Sequence, residues 1–141
     1  MAEQKKDASK QMLQEKLIEY EMLKEEAKKL EQELHTLEAR REELDIVSMS
    51  IDEIKGQKNK DILIPVGSGV FVKGTVTDDK KILLNVGSNV ILPKTLEEAK
   101  KIIEGQITEM EQAKINISIE LQKFIAYIQR ISPEIQKLSQ A

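Results

Sequence analysis

The stretch "ILIPVGSGVFV", Ile62 to Val72, returns twenty residues later as "ILLNVGSNVIL", Ile82 to Leu92, with six of eleven positions identical. Each copy is an apolar run, a small break and a second apolar run. Periodicity and breaks predict four strands: Ile62 to Val66, Val70 to Val76, Ile82 to Val86, and Asn89 to Leu92. Gly67-Ser68-Gly69 and Gly87-Ser88-Asn89 supply the positive φ angles of tight hairpin turns, and the polar "TDDKK" at 77–81 links the hairpins. Apolar side chains occupy both faces instead of alternating with polar ones. They are Ile62, Leu63, Ile64 and Val66; Val70, Phe71, Val72 and Val76; Ile82, Leu83, Leu84 and Val86; and Val90, Ile91 and Leu92. A lone hairpin is marginal in water, and open strand edges invite pairing. Flanking helices that point away would leave these strands uncovered. The segment therefore reads as an assembly module whose strands continue into sheets or barrels with other chains, one association surface per hairpin.

Outward from the repeat, both flanks are charged and almost free of Gly and Pro. With Leu13 at heptad position a, the a positions are Leu13, Tyr20, Ala27, Leu34, Arg41 and Ser48, and the d positions are Lys16, Leu23, Leu30, Leu37, Leu44 and Ile51. An apolar repeat sustained this long forms a coiled-coil seam. It stops near Gly56, a residue suited to ending a helix. The second helix opens at Thr95, with Glu98 three residues on as a capping box. Its a positions are Ile107, Lys114, Leu121, Ile128 and Ile135, and its d positions are Ile103, Met110, Ile117, Phe124, Ile131 and Leu138. Gly105 costs about 1 kcal/mol relative to Ala and does not stop it. Pro133 removes a hydrogen bond and crowds the preceding turn, so a kink or fraying is expected after about Gln129.

Two helices of roughly 65–70 Å joined by a compact insert can pair antiparallel. One register sets Leu13 opposite Leu138, Leu23 opposite Ile128, Leu30 opposite Leu121, Leu34 opposite Ile117 and Leu44 opposite Ile107. It also sets the small Ala27 against the large Phe124, a volume match that packing favours. A register shifted by one heptad also aligns apolar positions but loses that match. The expected architecture is mainly α with a central β insert: an antiparallel two-helix coiled coil joined by two tandem β-hairpins that form an inter-subunit β-barrel. The expected divisions of this single domain are 1–57, 58–93 and 94–141.

Composition fits. A third of the 141 residues are charged, 3% are aromatic and there is no Trp, which suits a thin apolar seam better than a bulky core. The net charge of −3 arises from 22 basic and 25 acidic residues that are interspersed, so no basic face for nucleic acid is expected. Without Cys there is neither a disulfide framework nor a thiolate site. The polar start "MAEQKKDASK" lacks the apolar segment of a secretory signal, and no apolar run approaches the roughly 20 residues of a bilayer span. A cytoplasmic protein without membrane contact is expected.

No constellation for catalysis stands out. His35, the one histidine, falls at position b and faces solvent. "GSGVFVKG" leads into a strand and lacks the ending of a phosphate-binding loop, so it is a turn. Glu42, Glu43 and Asp45 lie on the coiled-coil exterior as solvated charge. Arg41 and Lys114 interrupt the seam, with stems that can pack while their charges reach water. Neither enzymatic activity, a metal nor a cofactor is expected.

A coiled-coil helix, two tandem hairpins and a returning helix resemble the alpha-class subunits of the prefoldin family from about Gln11 to Leu138. The most specific stretches are "ILIPVGSGVFVKGTV" and "KILLNVGSNVILPKTLEEAKK". The tandem hairpins separate that class from beta-class subunits, which carry one. The resemblance implies an ATP-independent holding chaperone, in which two alpha-class subunits (this chain and a second copy) join four beta-class subunits through their hairpins. Non-native client proteins would be held at the coiled-coil tips and passed to a group II chaperonin. A related branch forms filaments from one subunit type, so a self-assembling scaffold is the alternative. At the tips, Met12, Leu13, Leu17, Ile18, Ile128, Ile131, Ile135 and Leu138 are the expected client-binding residues. Leu17 and Ile18 lie off the seam and are expected to stay exposed.

Overall fold

The computed structural model describes residues 2–140. Met1 and Ala141, which the expected end segments include, lie outside the described residues. The order is α1 (Ala2–Ile54), β1 (Asp61–Gly67), β2 (Val70–Thr75), β3 (Lys81–Asn85), β4 (Ile91–Thr95) and α2 (Leu96–Gln140). Helix α1 begins ahead of the first heptad position because its opening residues include good helix formers and neither Gly nor Pro. It stops where Gly56 takes a φ of 78° and the Gln57 N–H donates to the Ile54 carbonyl at 3.0 Å. The start of α2 is the expected capping box. The Glu98 N–H donates to Thr95 Oγ1 at 3.1 Å, and the Thr95 N–H donates to Glu98 Oε2 at 3.3 Å.

The chain divides into two compact units, Met1–Ala39 with Glu111–Ala141, and Arg40–Met110. In the first, helical unit, the a and d positions of both helices are buried or half-buried. Ala27 and Ile131 are its buried members. Lys16 donates to Glu134 Oε2 across the pair at 2.8 Å, one residue from Ile135, which stands opposite Lys16 in the register that sets Leu13 against Leu138. On the flank, Tyr127 Oη–H donates to Glu19 Oε1 at 2.8 Å. The expected fraying after Gln129 is corrected: α2 stays helical through Pro133 to Gln140. A helix whose neighbouring side chains are anchored, here Ile131 at 2% exposure and the ion-paired Glu134, can lose one backbone bond without ending.

In the second, hairpin unit, Leu44 and Ile51 of α1 pack with Ala99 and Ile103 of α2. The strands form two separate two-stranded antiparallel sheets, β1–β2 and β3–β4. Ile82 and Leu84 of β3 pack against the helical cluster, which corrects the expectation that the helices leave both hairpins uncovered. This third layer also explains Ala99, fully buried although it lies off the heptad seam. The fourth strand is Ile91–Thr95, not Asn89–Leu92. Asn89 is held in the turn at a φ of 60°, and β4 runs directly into α2.

Candidate functional site

The two hairpin turns are conformational copies. Gly67, Ser68 and Gly69 have φ angles of 130°, 49° and 77°; Gly87, Ser88 and Asn89 have 121°, 51° and 60°. Asn replaces Gly in the second copy because its short amide side chain tolerates the left-handed region. Asn85 Oδ1 further accepts the Gly87 N–H at 2.9 Å. In the first hairpin the register shifts between Pro65 and Gly67, leaving Val66 as a bulge.

Register sorts the side chains by face. In β1–β2, Ile62 pairs with Gly74 and Ile64 with Val72, while Leu63 pairs with Lys73 and Pro65 with Phe71. Since successive side chains alternate across a strand, both faces of this hairpin are largely apolar. Neither is covered: every residue of β1 is exposed, as are Val70, Phe71 and Val72. Gly74 serves close approach, since a Cβ there would lie 2.9 Å from Ile64 Cδ1. In β3–β4 one face, with Ile82 and Leu84, is half-buried. The other carries Leu83, 75% exposed, opposite Pro93. Of the expected assembly residues, only Val76, Ile82 and Leu84 are half-buried; the other twelve are exposed.

Between the hairpins, Ile54, Ile62, Val76, Ile82, Leu83 and Pro93 line a groove. Asp78 anchors the connecting turn: its Oδ1 accepts the N–H groups of Lys80 at 2.8 Å and Lys81 at 3.2 Å. Those two bonds hold its carboxyl below the ordinary range. At the helix bases Lys100 donates to both oxygens of Asp52 at 2.8 Å, which raises the Lys100 ammonium pKa.

Of the expected client-binding residues, Met12, Leu17 and Ile18 are exposed. Leu13, Ile128, Ile135 and Leu138 are half-buried in the seam, and Ile131 is buried. His35 is exposed, with Nδ1 3.8 Å from Glu38, and Glu42, Glu43 and Asp45 are exposed as expected. Sequence reading passed over other exposed apolar side chains: Met22, Ile115, Ile119 and Tyr127 in the helical unit, and Ile46 and Met49 in the hairpin unit. The same heptad count holds the signal, because each lies outside a and d. Among the described residues, no cluster of three His, Cys, Asp or Glu is arranged to hold a metal, and no helix is long and apolar enough to cross a membrane.

Residues 23–141 match the family model described as prefoldin subunit. The chain belongs to the prefoldin family. Among curated prefoldins, subunit alpha of Methanococcus aeolicus is 39% identical over 69 residues, covering 48% of this chain and 46% of that protein. Prefoldin subunit alpha 1 of Thermococcus kodakarensis is 33% identical over 69 residues, covering 48% and 47%. Subunit alpha of Thermococcus onnurineus is 36% identical over 62 residues, covering 43% and 42%. The matched stretch thus spans under half the length of each of these prefoldins. The fold is similar to that of a chain in the cryo-EM structure of filamentous PFD from Methanocaldococcus jannaschii. The TM-score is 0.71 at 24% identity, over 86% of this chain and 98% of that one.

Proposed function

We propose that this prefoldin is an alpha-class subunit of an ATP-independent holding chaperone of the cytoplasm. In this reading its hairpins join those of a second copy and four beta-class subunits in a barrel, without chemistry and without binding nucleic acid or membrane. Non-native proteins are held at the coiled-coil ends and delivered to a group II chaperonin. The observation that carries the reading is the first hairpin, apolar on both faces and exposed throughout β1. Such a ribbon gains burial only from other chains. The alpha-class assignment is supported by the tandem hairpins and by the names of the curated relatives.

The client-holding residues follow from exposure. Met12, Leu17 and Ile18 offer apolar contacts while the helices remain paired, and several weak sites on one assembly act together. Leu13, Ile128, Ile135 and Leu138 add to this as the seam parts, and buried Ile131 only when the helix ends separate.

The test measures particle size and suppression of light scattering by a denatured protein, for the chain alone and after mixing with a single-hairpin subunit. A discrete mixed hexamer that suppresses scattering is expected. The triple variant Met12→Ser, Leu17→Ser and Ile18→Ser should assemble normally and suppress less. An unchanged variant removes the tip assignment; failure to form a mixed particle removes the hexamer. A second reading, a self-assembling filament, takes its support from the similarity to a chain of filamentous PFD and from two association surfaces per chain. Open-ended growth of the purified chain alone selects it.

A further inference from the structure

The helical unit carries an apolar groove beside the seam that shares only Ile18 with the tip assignment. It consists of two adjoining hollows that share Leu23 and Phe124, with Ile18 and Met22 completing the first and Ile119 and Tyr127 the second. Ile18 and Met22 are 63% and 65% exposed, so the first hollow is open to solvent. Its lining carboxylates outnumber its lining cations. Glu15, Glu19 and Glu26 flank the first hollow with no cation among its lining residues, and Glu19 and Glu120 flank the second with Lys123 alone. Glu19 is held in place by the Tyr127 hydroxyl at 2.8 Å. Glu26 pairs with Lys29 at 3.5 Å on the exposed surface. The nearby Lys16 pairs with Glu134 at 2.8 Å and also interacts with Glu19, offsetting part of its charge, so the acidity of the rim rests mainly on Glu15, Glu26 and Glu120.

We infer that this groove binds amphipathic segments of non-native proteins whose apolar anchors are flanked by Lys or Arg. This rests on the holding-chaperone reading and narrows it. A flexible Met and two aromatic rings adapt to varied apolar side chains. The long basic side chains can lay their methylene stems over Ile18 and Met22 while their charges reach the carboxylates. Acid-flanked segments with the same anchors meet four like charges and are disfavoured.

The experiment uses the full chain, alone and assembled, with three fluorescent peptides. They share Leu and Phe anchors at helical spacing and carry Lys, Gln or Glu flanks. Anisotropy at low salt is expected to show the Lys peptide binding roughly fivefold or more tighter than the Glu peptide, a gap that closes in 0.5 M NaCl. The combined Glu15→Gln, Glu26→Gln and Glu120→Gln variant should lose the discrimination and keep the Gln-flanked affinity. Ile18→Ser with Met22→Ser should weaken all three, with helicity checked by circular dichroism. Equal binding of Lys and Glu peptides overturns the inference, as does a preference that survives the Gln variant. If none of the peptides binds while aggregation suppression persists, the groove is not the site and the chaperone reading stands. If suppression is also absent, both fall. If Ile18→Ser with Met22→Ser changes particle size instead of peptide affinity, the groove is a contact between copies and the inference is overturned.

Discussion

Single residues in this chain act through backbone groups and exposed ion pairs more than through a deep core. Thr95 and Glu98 satisfy each other's N–H groups at the point where β4 becomes α2. Thr95→Ala is expected to cost about 1 kcal/mol, read as a lower urea midpoint with unchanged slope. The Lys16–Glu134 pair has a pH signature. The Lys16 hydrogen bond, then its charge, holds the Glu134 carboxyl below the ordinary range, and the same contact raises Lys16. A depressed carboxyl contributes fully above its unfolded value and loses that contribution as pH falls through the folded one. A raised ammonium contributes below its unfolded value and loses it as pH climbs past the folded one. Glu134→Gln should therefore lower the melting temperature modestly at neutral pH, and the difference should begin to shrink as pH falls below the ordinary glutamate value of about 4.3 and vanish only below the depressed folded value. Melts across the acid range check this.

At the scale of elements, the hairpins that look alike in sequence sit in unlike surroundings. Leu84 is half-buried against the helical cluster, whereas its neighbour Leu83 points away. Leu84→Ala should destabilise the free chain by roughly 2 kcal/mol, the low end of the core range. Leu83→Ala should leave its unfolding unchanged and weaken association; denaturation and sedimentation of both variants separate the effects. This contrast also marks how far the sequence was legible. The seam could be counted because a 3.5-residue repeat needs only one partner helix, and every assigned a and d position is buried or half-buried. The turns were legible because few residues adopt positive φ. The burial of Ala99 was not, because it depends on β3 arriving from a different part of the chain. Likewise the last strand was misplaced: Asn89 belongs to the turn, and pairing carries β4 through Pro93 to Thr95. Nor does the exposed groove at Ile18 and Met22 follow from a repeat that describes only the buried stripe.

Across the whole molecule, burial is scarce. The buried apolar side chains among the described residues are Ala27, Leu44, Ile51, Ala99, Ile103 and Ile131, two of them merely Ala. Ordering the chain costs about 1–2 kcal/mol per residue in backbone entropy, so a core this small leaves association to supply much of the balance. Melting temperature should rise with protein concentration over the micromolar range, in a dilution series followed by circular dichroism. A melting point independent of concentration, together with a monomeric mass, would contradict this.

The isolation of β1 and β2 from every other strand has a consequence for how the chain reports its own state. Their ladder amides are shielded by one neighbour and nothing more, so in a solitary chain they should trade protons for deuterium quickly, while those of α2 near Ala99 hold out. Docking by another subunit would slow that trade in the ribbon selectively, turning these few backbone groups into a clock for company.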